Sequence, residues 1–257
     1  MNGLVRFFGS LVLAIVLPLA AWAQEGPRGL LSITFDDASR SQYVHGLRIA
    51  KDFGIVGTLF VITSEANAAQ ENPKSWGMNW GQIRAFRDAG WEIGSHSHTH
   101  PYLTQLSTAD VIRELDISRA VIEAGVGVRP VSFSAPYGDH DARTVGLVTE
   151  RYSNHLLAWG GSQGRNWPES TDRAMISRMN VNWNTPPETY CAEIRKAAQN
   201  GTWLVLMFHE FVRSDPEPYK MAVADYKTIL TCAAEARNVG AIRIVTVRDA
   251  MELIAQR

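Results

Sequence analysis

The chain is constrained most by an alternation. Short apolar runs recur from residue 29 onward, each followed by a longer amphipathic stretch. The runs are GLLSITF (29–35), GTLFVI (57–62), WEIGS (91–95), PVSFSA (130–135), HLLAW (155–159), AMISRMNV (174–181), TWLVLMF (202–208) and IRIVTV (242–247). Several are apolar almost without interruption, which marks strands covered on both faces. The intervening stretches carry helix signals. Residues 39–54 end at Gly54, Asn79 offers an N-cap for a helix stopping at Gly90, and Ser107 or Thr108 opens one stopping at Gly125. Further helices are expected over 187–201, 219–240 and 248–256, with Asn200 in the turn before a strand. Strand and helix alternating about seven or eight times imply βαβ units and a parallel sheet. No G-x-G-x-x-G follows the first strand, so an irregular (β/α) barrel of about seven to eight mainly parallel strands is expected over an open doubly wound sheet.

Residues 1–23 contain Arg6, an apolar run and the small-residue sequence Ala21-Trp22-Ala23. That is the form of a cleavable signal peptide, with Ser10 and Pro18 weakening a permanent membrane span. The expectation is a secreted or periplasmic domain over residues 24–257, with no stable membrane span once the leader is removed. Formal net charge is −1, so neither nucleic acid nor a polyanion is expected as partner. Cys191 and Cys232 are the only cysteines, 41 positions apart. In an oxidising compartment they can pair, and two buried free thiols fit the sequence equally well.

Polar residues then fall at the C-terminal ends of the runs, the face where parallel α/β folds gather reactive groups. Asp36 and Asp37 follow the first run, and adjacent carboxylates repel unless a cation, a proton or amide donors compensate. Capping the following helix is one use for them; a metal is the other. GSHSHTH (94–100) places His96 and His100 four apart, so a turn after Ser95 would face both to one side and His98 elsewhere. Two imidazoles and a carboxylate hold zinc or a similar divalent ion and leave a position for water. His209 ends the run before it, and Pro136-Tyr137-Gly138 forms a turn whose peptide N–H groups suit an oxyanion.

These residues resemble the polysaccharide deacetylases of carbohydrate esterase family four, the NodB homology domain. Thr34-Phe35-Asp36-Asp37, His96-Ser97-His98-Thr99-His100 and His209 stand in the family's motif order, and the resemblance runs over about residues 29–254. It implies a metal-dependent hydrolase that removes N-acetyl groups, or O-acetyl groups, from an acetylated glycan. Asp37, His96 and His100 would hold one divalent ion, zinc first, with cobalt or nickel as substitutes. Asp36 would be the general base, Pro136 and Tyr137 would shape the oxyanion site, and His209 would protonate the leaving amine. The third motif departs from the family: Ser134 stands where many relatives carry arginine, and Arg165 and Arg178 are the candidate replacements.

Other readings stay open at this level: a hydrolase of a non-sugar amide, or a non-catalytic glycan-binding relative. Adjacent acids suit a glycosidase poorly, because its two carboxyls must stand about 5–9.5 Å apart. A two-histidine, one-carboxylate iron oxygenase shares the ligand set, but nothing points to a redox co-substrate. Trp76, Trp80, Trp159, Trp167 and Trp183 lie in or beside expected loops and offer flat faces for sugar rings. The glycan and the oligomeric state are not set by the sequence.

Overall fold

The computed structural model describes residues 29–158 and 164–256. In chain order, β1 (Gly29–Phe35) leads into a π-helical turn (Gln42–Leu47) and α1 (Arg48–Asp52). There follow β2 (Thr58–Val61), α2 (Thr63–Glu71), α3 (Trp80–Asp88), β3 (Glu92–Ser95), α4 (Thr108–Val126), β4 (Ser132–Ser134), α5 (Ala142–Thr149) and β5 (Asn154–Leu156). The second half comprises β6 (Arg165–Asn166), β7 (Met179–Asn180), α6 (Pro187–Asn200), β8 (Trp203–Phe208), β9 (Glu210–Val212), β10 (Lys220–Ala222), α7 (Val223–Asn238), β11 (Ile242–Ile244) and α8 (Val247–Ala255).

Parallel pairing runs from β1 through β2, β3 and β4 to β5. Ile176 then bridges to Leu156 of β5, β7 pairs in parallel with β8, and β8 returns to β1 over six residue pairs. The ring is the expected irregular (β/α) barrel. β11 shares an edge of β1 with β2, and β6 is antiparallel on β8.

The expected strand 174–181 is split. Its first half reaches β5 and its second half β8, so the run crosses between two neighbours instead of following either. The strand expected at 242–247 stops at Ile244, because the Thr246 hydroxyl caps α8 through the Asp249 N–H at 3.1 Å. The α4 stop is also corrected. Gly125 is interior to the helix; a Cβ there would meet the Trp80 ring at 2.4 Å, so glycine lets α4 pack on α3. The helix ends at Gly127, which takes the left-handed C′ conformation at φ 73°. The helix expected from residue 219 begins at Val223, since Lys220–Ala222 pairs with β9. Helices α2 and α5 were not anticipated.

Period-two alternation along β1 decides what enters the barrel. Leu31, Ile33 and Phe35 pack outward among residues of α1, α3, α6 and α7. Leu30 points inward with Phe60, Leu156, Ile176, Trp203 and Val205, above a floor of Val247, Ala250 and Met251 from α8. Ser32 and Thr34 continue the inward face, their hydroxyls bonded to Val245 O and Leu206 O. The next inward residue is Asp36, at the open end.

Cys191 on α6 and Cys232 on α7 form a disulfide, with Cα atoms 5.5 Å apart. Closing this loop stabilises the chain by about 3–4 kcal/mol in the chain-entropy account. Replacing both cysteines by serine is therefore expected to lower the unfolding free energy by about that amount, read from urea denaturation with the oxidised wild type as reference.

Candidate active site

The site assembles from four strand ends. Asp36 follows β1 and is 2 % exposed. Arg178 reaches it as a fork, Nη1 to Oδ1 at 2.7 Å and Nη2 to Oδ2 at 2.9 Å. Ser134 at the end of β4 donates its hydroxyl to Asp36 Oδ2 at 3.1 Å and accepts from Arg178 Nη2 at 2.7 Å. The guanidinium itself is fully buried and also donates from Nε to Leu157 O at 2.9 Å. Burial alone would raise the Asp36 pKa, but the Arg178 charge, followed by that of His96, holds it well below the usual carboxylate range. Of the two arginines the sequence offered, Arg178 does this; Arg165 turns instead to Glu193 at 3.2 Å. Arg178 reaches Asp36 from the segment that passes from β5, at the Leu156–Ile176 bridge, to β8, at Met179–Asn180.

Asp37 does not cap a helix. Its backbone lies in the left-handed region at φ 74°, so its side chain leaves the direction Asp36 takes and meets the histidines. His96 Nε2 lies 3.4 Å and His100 Nε2 3.6 Å from Asp37 Oδ1, and the two Nε2 atoms are 3.2 Å apart. The histidine turn is built for this convergence. Ser97 and His100 have φ of 67° and 61°, the Ser97 hydroxyl accepts from the His100 N–H, and Glu114 accepts the N–H groups of His98 and Thr99. As expected, His98 points away, to the Thr63 hydroxyl at 2.8 Å.

The donor set fits a divalent cation. His96 Nδ1 lies 2.7 Å from Ser134 O, so that nitrogen carries the proton and Nε2 presents its lone pair. Burial and the neighbouring His96 push the His100 pKa down to about 4, which leaves it neutral at pH 7. Burial opposes a charge on His96, yet Asp36 and Asp37 outweigh it and raise the pKa of that imidazole. Carboxylates crowded against two imidazoles are the chemistry of a cation site. Asp37, His96 and His100 are the one such cluster among the described residues, with ligand atoms all within 4.8 Å of one another.

Asp36, Asp37, His96, His100, Tyr137 and His209 line one cavity of about 400 Å³. Pro136 is buried in the turn behind Tyr137 and does not line it. Tyr137 has φ 57°, and its ring stands 4.5 Å from His100 and stacks on Tyr102 at 4.0 Å. Two residues escaped the sequence reading. Gln42 donates from Nε2 to both Asp36 O and His209 O, tying the first motif to the last, and nothing in the sequence around it signals this. Tyr219 closes the cavity beside His209. Among the described residues the tryptophans do not supply the walls: Trp80 is buried on α3, while Trp76, Trp167 and Trp183 are exposed outside the cavity lining. Trp159 lies outside the described residues.

Removing Arg178 leaves a carboxylate buried without its partner. Arg178→Met is expected to destabilise the fold by about 3–5 kcal/mol in urea unfolding at pH 7. Adding Asp36→Asn to it is expected to recover part of that loss, since the uncompensated charge is then gone.

Among known proteins, the polysaccharide deacetylase family model matches residues 23–151, half of the chain. Chitin deacetylase 2 of Cryptococcus neoformans is 32% identical over 139 residues, which cover 52% of this chain and 28% of the relative. The peptidoglycan-N-acetylglucosamine deacetylase of Listeria monocytogenes is 29% identical over 133 residues, 50% of this chain and 26% of the relative. The matches thus span about a quarter of the length of these curated relatives. In structure, the chain resembles the carbohydrate esterase family 4 domain of a multidomain xylanase from the hindgut metagenome of Trinervitermes trinervoides. The TM-score is 0.60 at 18% identity, covering 88% of this chain and 91% of that one, which is a likeness of fold. With its motifs gathered at one barrel mouth, the chain belongs to the polysaccharide deacetylase family.

Proposed function

We propose that the protein hydrolyses N-acetyl groups on an amino-sugar glycan, with Asp37, His96 and His100 holding one zinc ion. One observation carries this reading: the three ligand atoms converge beside a separate, arginine-held carboxylate, Asp36, whose Oδ2 is 3.7 Å from His96 Nε2. The similar chitin deacetylase and peptidoglycan-N-acetylglucosamine deacetylase act on N-acetyl groups, which supports an amide in preference to an ester. Cobalt or nickel would serve the same ligands.

When bound, such an ion lowers the pKa of a water molecule and polarises the acetyl carbonyl. Asp36 takes the proton from the attacking water, its position fixed by Arg178 and Ser134. The peptide N–H of Tyr137 donates to the oxygen that becomes negative as the carbonyl carbon turns tetrahedral. His209, across the cavity, gives a proton to the leaving nitrogen as the C–N bond breaks, and acetate departs. Residues 1–23 are proposed as a cleaved leader that delivers residues 24–257 outside the cytoplasm; that segment lies outside the described residues. Among the described residues, no helix is long and apolar enough to cross a membrane.

Acetate release from an N-acetylglucosamine tetramer is expected to stop on chelation and to return with zinc or cobalt. Asp36→Asn is expected to keep one ion per chain while the rate falls by about 10²–10⁴-fold, whereas His100→Ala loses the ion as well. Metal content by plasma emission, measured beside the rate, separates the two.

A further inference from the structure

The chain after His209 makes an excursion that the barrel does not require. β9 and β10 pair with each other outside the main sheet, and the Glu210 N–H bonds to Tyr219 O at 2.8 Å, which fixes the return of the loop. Its product is the placement of Tyr219. That residue is 63% exposed, although it lines the cavity, and its ring stands edge-on to His209 at 5.3 Å. Its φ is 67°, a left-handed conformation that a tyrosine keeps only where the surroundings impose it. A large aromatic face is thus held at cost beside the reacting groups without being used for packing.

Two further tyrosines line the same cavity. Tyr102 and Tyr137 stack at an interplanar angle of 12° and are about half exposed. The cavity therefore has two tyrosine walls, one against His100 and one against His209. A ligand for that gap has apolar faces and a polar rim, as a pyranose ring does: its C–H face meets the π face while its hydroxyls stay in water.

We propose that Tyr219 is a stacking platform for a pyranose ring of the substrate and sets affinity for the glycan chain. This rests on the glycan deacetylase reading and extends it to a residue that no motif contains. The platform acts in binding and not in proton transfer, so its removal changes KM and leaves kcat.

The test uses the metal-loaded enzyme and the N-acetylglucosamine tetramer. Tyr219→Ala is expected to raise KM about five- to tenfold with kcat little changed and metal content intact. Tyr219→Asn, whose side chain tolerates a positive φ, should match it, which excludes a backbone effect. Tyr219→Phe keeps the ring and should behave as wild type. An unchanged KM in the alanine variant overturns the proposal, as does a fall in kcat alone or a phenylalanine variant as weak as alanine. Calorimetric binding of the tetramer to wild type and to Tyr219→Ala supplies the independent arm. If the wild type binds the tetramer but releases no acetate, the deacetylase reading fails, and weaker binding by the alanine variant still upholds the platform. Equal binding, or none, overturns it.

Discussion

Two neighbouring carboxylates at the mouth of a barrel are the constraint around which the site is arranged. Asp36 is buried and Asp37 half-buried beside it, and two such carboxylates repel each other unless neighbouring groups compensate. The fold answers them differently. Asp36 receives a fixed guanidinium fork and a hydroxyl, so its compensation is internal and permanent. Asp37 instead faces two imidazoles, with His96 Nε2 and His100 Nε2 at 3.4 and 3.6 Å from its Oδ1, a donor set that an external cation would complete. One carboxylate is thereby suited to proton transfer and the other to a cation, from the same dipeptide.

The cost of that arrangement is stored in the backbone. Among the described residues, the non-glycine positions with left-handed φ are Asp37, Ala38, Ser97, His100, Tyr137, Asp215 and Tyr219. Asp37, Ser97, His100 and Tyr137 fall in the sequence motifs of the site, Ala38 follows the first of them, and Tyr219 lines the cavity. Each such conformation costs about 1–3 kcal/mol and needs a rigid frame to impose it. The frame is the outward packing of β1 and β8: Phe35 and Phe208 hold ring contacts with Phe211, Tyr226 and each other directly beneath the motifs.

Much of this was legible in the sequence. Near-continuous apolar runs with polar residues at their C-terminal ends fix the parallel barrel and the rim at which Asp36, His96 and His209 meet. The i, i+4 spacing of His96 and His100 identified the pair that converges, though a left-handed turn and not a helical one brings them together. What the spacing of residues could not convey was long-range replacement. Arg178 was visible as a lone charge inside an apolar run, but its pairing with Asp36 depends on the segment crossing from β5 to β8, which a single-strand reading of 174–181 conceals. Tyr219 carried no local signal, because its exposure and φ follow from the β9–β10 pairing. The disulfide was equally undecidable until α6 and α7 were seen side by side.

The central claim is that one divalent ion sits between Asp37, His96 and His100, with Asp36 beside it and not among its ligands. A crystal of the zinc-loaded protein, with anomalous data collected across the zinc edge, tests this directly. The account predicts a single strong peak about 2.0–2.2 Å from an Asp37 oxygen and from both Nε2 atoms, with Arg178 still bridging Asp36. No peak at that position, a peak ligated through His98, or an ion bound to Asp36 in place of Arg178 would contradict it.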